Sequence, residues 1–297
     1  MKTIVLLAGL LTLSYVTYGC LNGETTLLKN GTIVYEDFPG NVPYGHEFYV
    51  SEYENNTELA ELDSLFDATK DFDYLSDKGV LLIILEHYKE AIALYLDIEK
   101  RAPGRYSTAS NIGTAYELAG QNEDALKWIT RAIEIDASSH HNSEWIHVKI
   151  LEAKIKGDQY ITTQHLLNTD FGDDDTPVSE LSDAELEDLS KALFYQLNER
   201  VSFVQPQDKI VAQLLFDLGN MAFLLGHYKD AAGDYDRAKL YGFNGALIES
   251  RLTLSEKNAE HEAQPYSAKA KLGFWGIAVM LGVVAFAGVV VYRRRSR

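Results

Sequence analysis

The spacing of apolar residues changes several times along the chain, and each change marks a different kind of segment. After Met1-Lys2-Thr3 comes an apolar run from Ile4 to about Val16, closed by Thr17-Tyr18-Gly19-Cys20. Residues 21–71 mix short apolar runs with turn signals. Asn30-Gly31 between Leu27-Leu28 and Ile33-Val34-Tyr35 predicts a hairpin, and Pro39-Gly40 and Pro43-Tyr44-Gly45 mark further turns. From Thr57 onward the spacing becomes helical, first in Thr57–Thr69 and then through a long region to about 257. A polar stretch over 258–272 extends the last helix or forms a linker. The run Phe274–Tyr292 is uncharged and almost wholly apolar.

The two ends predict a topology. A basic start, a short apolar run and small residues before a break describe a secretory signal peptide over 1–19. Nineteen residues at 1.5 Å rise span about 28 Å, near the hydrocarbon thickness of a bilayer. With Trp275 and Tyr292 at its edges, the segment 273–292 reads as a transmembrane helix. Arg293, Arg294, Arg295 and Arg297 should hold the tail 293–297 in the cytoplasm, leaving the rest of the mature chain extracytoplasmic. Cys20 stands where a bacterial lipoprotein carries its acylated cysteine. Gly19 fits that reading, Tyr18 and Thr17 do not, and a lone thiol is the alternative.

Charge sharpens the division. The chain has 27 Lys+Arg against 44 Asp+Glu, a net of −17. No acidic residue lies in 1–20 or 271–297, which hold six of the basic ones. The middle therefore carries 21 basic against 44 acidic residues, a net of −23. Nucleic acid is excluded as a partner by the lack of a basic face, and a mean hydropathy of −0.16 excludes a polytopic membrane protein.

Self-comparison of the middle reveals a period. Gly79 and Gly113 are 34 residues apart, and Tyr88-Lys-Glu-Ala91 aligns with Asn122-Glu-Asp-Ala125 at the same offset. The segment Ala212–Gly242 repeats the pattern around Gly219. Small residues at Gly79, Gly113 and Gly219, met by Ala91, Ala125 and Ala231, allow two helices of a hairpin to approach closely. Tyr95, Ile129 and Tyr235 are expected to fill the space between successive hairpins. Gly120 and Gly226 fall in the turns between helices, where glycine tolerates positive φ. Leu82, Glu86, Ile98 and Asn122 depart from the pattern. This register resembles the tetratricopeptide repeat (TPR) family, well over 72–139 and 208–242 and loosely elsewhere, and the whole chain is similar to bacterial cell-envelope TPR proteins.

The resemblance implies an all-α fold, a TPR solenoid of helix-turn-helix units over 72–257. Residues 20–71, with a short hairpin and a helix, would cap its first face. Between 138 and 207 the register weakens. Ser143–Lys156 has the character of a unit's first helix, and Ser182–Phe203 reads as a long helix opened by a Ser182/Glu185 capping box. An acidic loop, Thr169–Pro177, lies between them and lacks the oxygen spacing of an EF-hand.

The resemblance also implies function through a groove lined by the first helices of the units. Asn111, Thr114, Glu117, Trp145 and Asn220 are the groove positions expected to meet a protein or peptide partner. Some TPR proteins clamp a terminal carboxylate with Lys, Asn and Arg. Asn111 and Asn220 fit two such asparagines, but Ser76, Val80, His141 and Trp145 replace the other members, so the set is absent. No catalytic motif or cofactor fingerprint occurs. The expected function is a membrane-anchored scaffold without catalysis, cofactor or metal. Two other readings stand beside it: a metal-dependent enzyme or sensor using the cluster His140, His141, Glu144 and His147, and a structural subunit of an envelope assembly complex.

Overall fold

The computed structural model describes residues 25–49 and 52–263. The expected signal peptide, Cys20, the expected transmembrane segment 273–292 and the tail 293–297 lie outside these residues. Among the described residues, no helix is long and apolar enough to cross a membrane. The chain forms two compact units. The first comprises residues up to Leu167 together with 192–205, and the second 168–191 and the chain from Pro206 on.

The first unit opens with strands β1 (Thr25–Leu27), β2 (Ile33–Asp37) and β3 (His46–Phe48), an antiparallel sheet in the order β1-β2-β3. The β1–β2 turn is closed by Gly31 N donating to Leu28 O at 2.8 Å, with Gly31 at φ +98°. The third strand pairs Tyr35 with Phe48 and Asp37 with His46, and the sequence pattern did not predict it. Val34, Tyr35 and Leu28 turn inward and join one core with Leu62, Leu81, Ile83 and Tyr95. The sheet thus covers the apolar side of the first helices.

Helices α1 (Glu52–Thr69), α2 (Phe72–Ile84), α3 (Tyr88–Arg101), α4 (Tyr106–Leu118) and α5 (Asn122–Ile135) follow as successive antiparallel neighbours. Asp71 caps α2 by accepting from Asp73 N at 3.0 Å. The four-residue α6 (Ser139–Asn142) leads into α7 (Glu144–Lys156), which packs on α5 through Leu151 against Ala125 and Ile129. A single 3-10 turn and the short α8 (Thr163–Leu167) follow α7. The last part of α9 (Asp183–Val201) completes this unit.

The second unit holds the start of α9 and helices α10 (Lys209–Leu224), α11 (Tyr228–Tyr241) and α12 (Ala246–Ala263). The Ser182/Glu185 capping box forms as expected: Ser182 N donates to Glu185 Oε2 at 2.9 Å, and Glu185 N to Ser182 Oγ at 3.4 Å. Asp208 caps α10 by accepting from Ile210 N and Val211 N, both at 2.9 Å.

The 34-residue register has a direct physical cause. A methyl group on Gly79 would lie 2.3 Å from the Tyr95 ring, on Gly113 2.5 Å from Ile129, and on Gly219 2.6 Å from Tyr235. In each pair the large residue follows its glycine by sixteen positions, on the second helix of the same hairpin. Each lies over the glycine of its own hairpin, because only a missing side chain there leaves room for it. Tyr95 and Ile129 also reach the next hairpin, at Asn111 and Leu151, as residues expected to fill the space between hairpins should. The interhelical turns repeat as well. In each, two N–H groups return to carbonyls of the preceding helix, as with Gly120 N to Glu117 O and Gln121 N to Tyr116 O. Gly120 and Gly226 sit at φ +76° and +79°, while Glu86 at the equivalent place takes φ +62° with a side chain.

Candidate functional site

In the first unit α4 presents Ser110, Asn111, Thr114 and Glu117 on one side, the i, i+1, i+4, i+7 spacing of a single helix face. Glu144 and His147, one turn apart on α7, lie beside them. Opposite both helices runs the final segment of α9 with Gln196, Glu199 and Arg200, followed by Phe203 and Val204. Together these residues line a cavity of about 60 Å³.

Glu117 is the centre of the polar network. Arg200 grips its carboxylate with two donors, Nη1 at 2.5 Å from Oε1 and Nη2 at 3.2 Å from Oε2. Lys154 Nζ donates to Oε1 at 2.6 Å, and His147 Nε2 lies 2.6 Å from Oε2. Burial opposes the charge on Glu117, yet Arg200, His147 and Lys154 overcome it and hold the carboxyl well below the usual range. Glu144 is buried too, with Oε1 accepting from Tyr106 Oη at 2.8 Å and meeting His140 Nδ1. Its Oε2 faces His147 Nδ1 at 3.6 Å, beyond hydrogen-bond reach. Burial works against the His147 imidazolium, but Glu117 and Glu144 on its two nitrogens raise its pKa.

A second imidazole fastens α9 to the sheet. His46 on β3 stacks on Tyr35 with ring centroids 4.0 Å apart. Its Nδ1 lies 2.5 Å from Asp37 Oδ1 and its Nε2 3.1 Å from Glu199 Oε1. Burial again disfavours the charged ring, and Glu199 with Asp37 raises its pKa nonetheless. Backbone contacts add to this: Gly45 N donates to Asn198 Oδ1 at 2.8 Å and His46 N to Ser202 Oγ at 2.9 Å. Gly45, at φ +87°, must lack a side chain here, since a methyl group would stand 2.9 Å from Ser202 Oγ.

The sequence-derived groove positions fall in different settings. Asn111, Thr114 and Glu117 line the same cavity, although Asn111 is tied to Tyr95 Oη at 3.0 Å and Glu117 is occupied as described. Trp145 is half-buried on α7 and lies outside the cavity lining. Asn220 belongs to the second unit, fully buried, with Oδ1 accepting from Tyr235 Oη and Arg251 Nη1, both at 2.8 Å. Of the histidine cluster, His140, Glu144 and His147 do converge, but on Tyr106, Glu117 and one another. Among the described residues no group of His, Cys, Asp or Glu has the arrangement of a metal site.

Sequence reasoning missed Arg200, His46, Glu199 and Arg251. Arg251 on α12 is fully buried in the second unit. It donates to the carbonyls of Phe171, Gly172 and Asp174 at 2.6–3.1 Å, so it holds the acidic loop by its backbone. One signal was available for it: Arg251 follows Tyr235 by sixteen residues, as Asn111 follows Tyr95.

No protein-family profile and no curated protein matches the sequence. Solved structures similar to parts of it include the following two. One is a tetratricopeptide repeat protein from Parabacteroides merdae, 15% identical, with a TM-score of 0.34 over 69% of this chain and 79% of that one. The other is the APC/C hetero-tetramer Cut9-Hcn1, 15% identical, with a TM-score of 0.35 over 70% of this chain and 40% of that one. Likeness at this level adds nothing to the packing itself. The 34-residue period, the glycine under a large residue sixteen positions on, and the repeated turn bonds recur in these helical hairpins, which is the packing that the resemblance to tetratricopeptide repeats implies.

Proposed function

We propose that the chain is a membrane-anchored scaffold that binds a protein or peptide partner on the extracytoplasmic side and carries out no chemistry of its own. One observation supports this most: the face of α4 and α7 already accepts a helical segment, residues 192–205, through hydrogen bonds and ion pairs on named side chains. Helix-in-groove recognition of a partner uses the same arrangement, a groove that meets one face of a helix through its side chains. The apolar, acid-free ends of the sequence support export and anchoring, and the acidity of the middle favours basic or neutral partners.

The test is cross-linking in cells followed by identification of the captured protein, with protease added from outside in parallel. The proposal expects a defined partner and digestion of the repeats. Protection of the repeats would reverse the topology, and a chain that captures no protein would remove the scaffold reading. A partner in fixed stoichiometry through every purification step would favour a structural subunit of an assembly.

A further inference from the structure

The segment 192–205 has an unusual place in the first unit. The chain on both of its sides, up to Lys191 and from Pro206 on, belongs to the second unit. It is therefore held by its own contacts and not by covalent neighbours within the unit. Those contacts run through side chains. Gln196 Nε2 donates to Ser143 Oγ at 2.9 Å, Arg200 grips Glu117, and Phe203 meets Phe48 with ring centroids 5.5 Å apart. Contrast α4 and α5, whose backbones approach closely at Gly113. Between α4, α7 and α9 a cavity of about 60 Å³ remains, lined mainly by polar and charged groups. The segment also buries Leu193, Leu197 and Val201, and a buried apolar stripe beside polar anchors and an incompletely filled contact is the make-up of an interface, apolar at its centre and polar at its rim.

We infer that residues 192–205 hold the place of a partner. The groove of α4 and α7 selects a helix end presenting glutamine and arginine one turn apart, as Gln196 and Arg200 stand on α9, with a phenylalanine in the turn that follows, as Phe203 stands, and a partner segment of that chemistry displaces the chain's own. This rests on the scaffold reading above and names the partner class for its groove. The arginine is the selective element. Glu117 keeps His147 and Lys154 as partners when Arg200 leaves, so its carboxylate stays placed for another guanidinium. A lysine would offer one donor where the bidentate fork offers two.

The test uses the full-length chain in detergent and a fluorescent peptide of residues 190–205, followed by anisotropy. Substituting Gln196→Ala and Arg200→Ala in the chain weakens its own segment and leaves the groove intact. That variant is expected to bind the peptide at least about tenfold more tightly than the unsubstituted chain, the scale of one charge-assisted pair. A peptide carrying Arg200→Ala is expected to lose about tenfold or more on the same variant. Should the double variant lose its helical circular dichroism, the chain with Phe203→Ala serves in its place with the same expectations. A folded variant that binds the peptide no better than the unsubstituted chain overturns the inference, as does equal binding of the two peptides. Either result leaves the scaffold reading to be judged by partner capture, which does not depend on this peptide.

Discussion

Substituting Gly79→Ala probes the packing that underlies the whole repeat. The added methyl would stand 2.3 Å from Cζ and 2.6 Å from Oη of Tyr95. The ring cannot swing aside without cost, because Tyr95 is fully buried and its Oη both donates to Ser76 O at 2.8 Å and accepts from Asn111 Nδ2 at 3.0 Å. Overpacking of this kind costs about 1–3 kcal/mol. Alanine in a helix interior recovers about 1 kcal/mol relative to glycine, so the clash is partly offset and the net loss should fall within ~0–2 kcal/mol. Tyr95→Leu alone should cost ~3 kcal/mol, from lost contact area and two lost hydrogen bonds. In the double variant the methyl occupies space the ring has left. The two losses should then fall short of additivity by ~1 kcal/mol or more, well outside the ~0.5 kcal/mol expected of independent sites. Urea unfolding of the four chains of this cycle, followed by helical circular dichroism, measures the coupling. Additive losses, or a Gly79→Ala chain more stable than the parent, would refute the close-contact explanation of the register.

Three further outcomes follow from the same geometry. Glu86 takes the left-handed turn conformation that Gly120 and Gly226 occupy elsewhere, so Glu86→Gly should raise stability by ~0.5–1 kcal/mol in the same urea assay, and a loss would mean that its side chain is needed. Arg251→Met should cost roughly 3–5 kcal/mol by removing a buried guanidinium's hydrogen bonds to Phe171, Gly172, Asp174 and Asn220, with faster amide exchange in 170–175; unchanged exchange there would contradict its role in holding the loop. The raised pKa values of His46 and His147 contribute stability that is complete below the unfolded imidazole value of ~6.5 and is lost as pH rises through the higher folded values. Unfolding midpoints should therefore fall from pH 6 to 9 in the parent and fall less in His46→Gln, and parallel curves would sink this linkage.

The hairpins were legible in the sequence because the feature that builds them is local. A small residue and a large one sixteen positions apart, with a turn between them, recur wherever two helices touch, so the register reads directly from Gly79, Gly113 and Gly219. Half of the site was legible on the same ground, since Asn111, Thr114, Glu117, Glu144 and His147 lie on helices of that register. The other half was not. Arg200 reaches Glu117 across 83 positions and Glu199 reaches His46 across 153, and such contacts leave no periodic trace. The amphipathic pattern of α9 says that one stripe is buried, with Leu193, Leu197 and Val201 on it, but not which surface receives the polar residues beside them. The expected groove was thus read as open, whereas the chain's own helix lies in it.

The central claim is that the face of α4 and α7 is where a partner binds. A photo-crosslinking residue in place of Thr114, which lines the cavity, tests this in cells, with the same residue in place of the surface Tyr160 as the control. The account predicts two products specific to position 114, an internal cross-link to residues 192–205 and an adduct with a separate protein. An adduct with the same protein from position 160 and none from position 114 would contradict it.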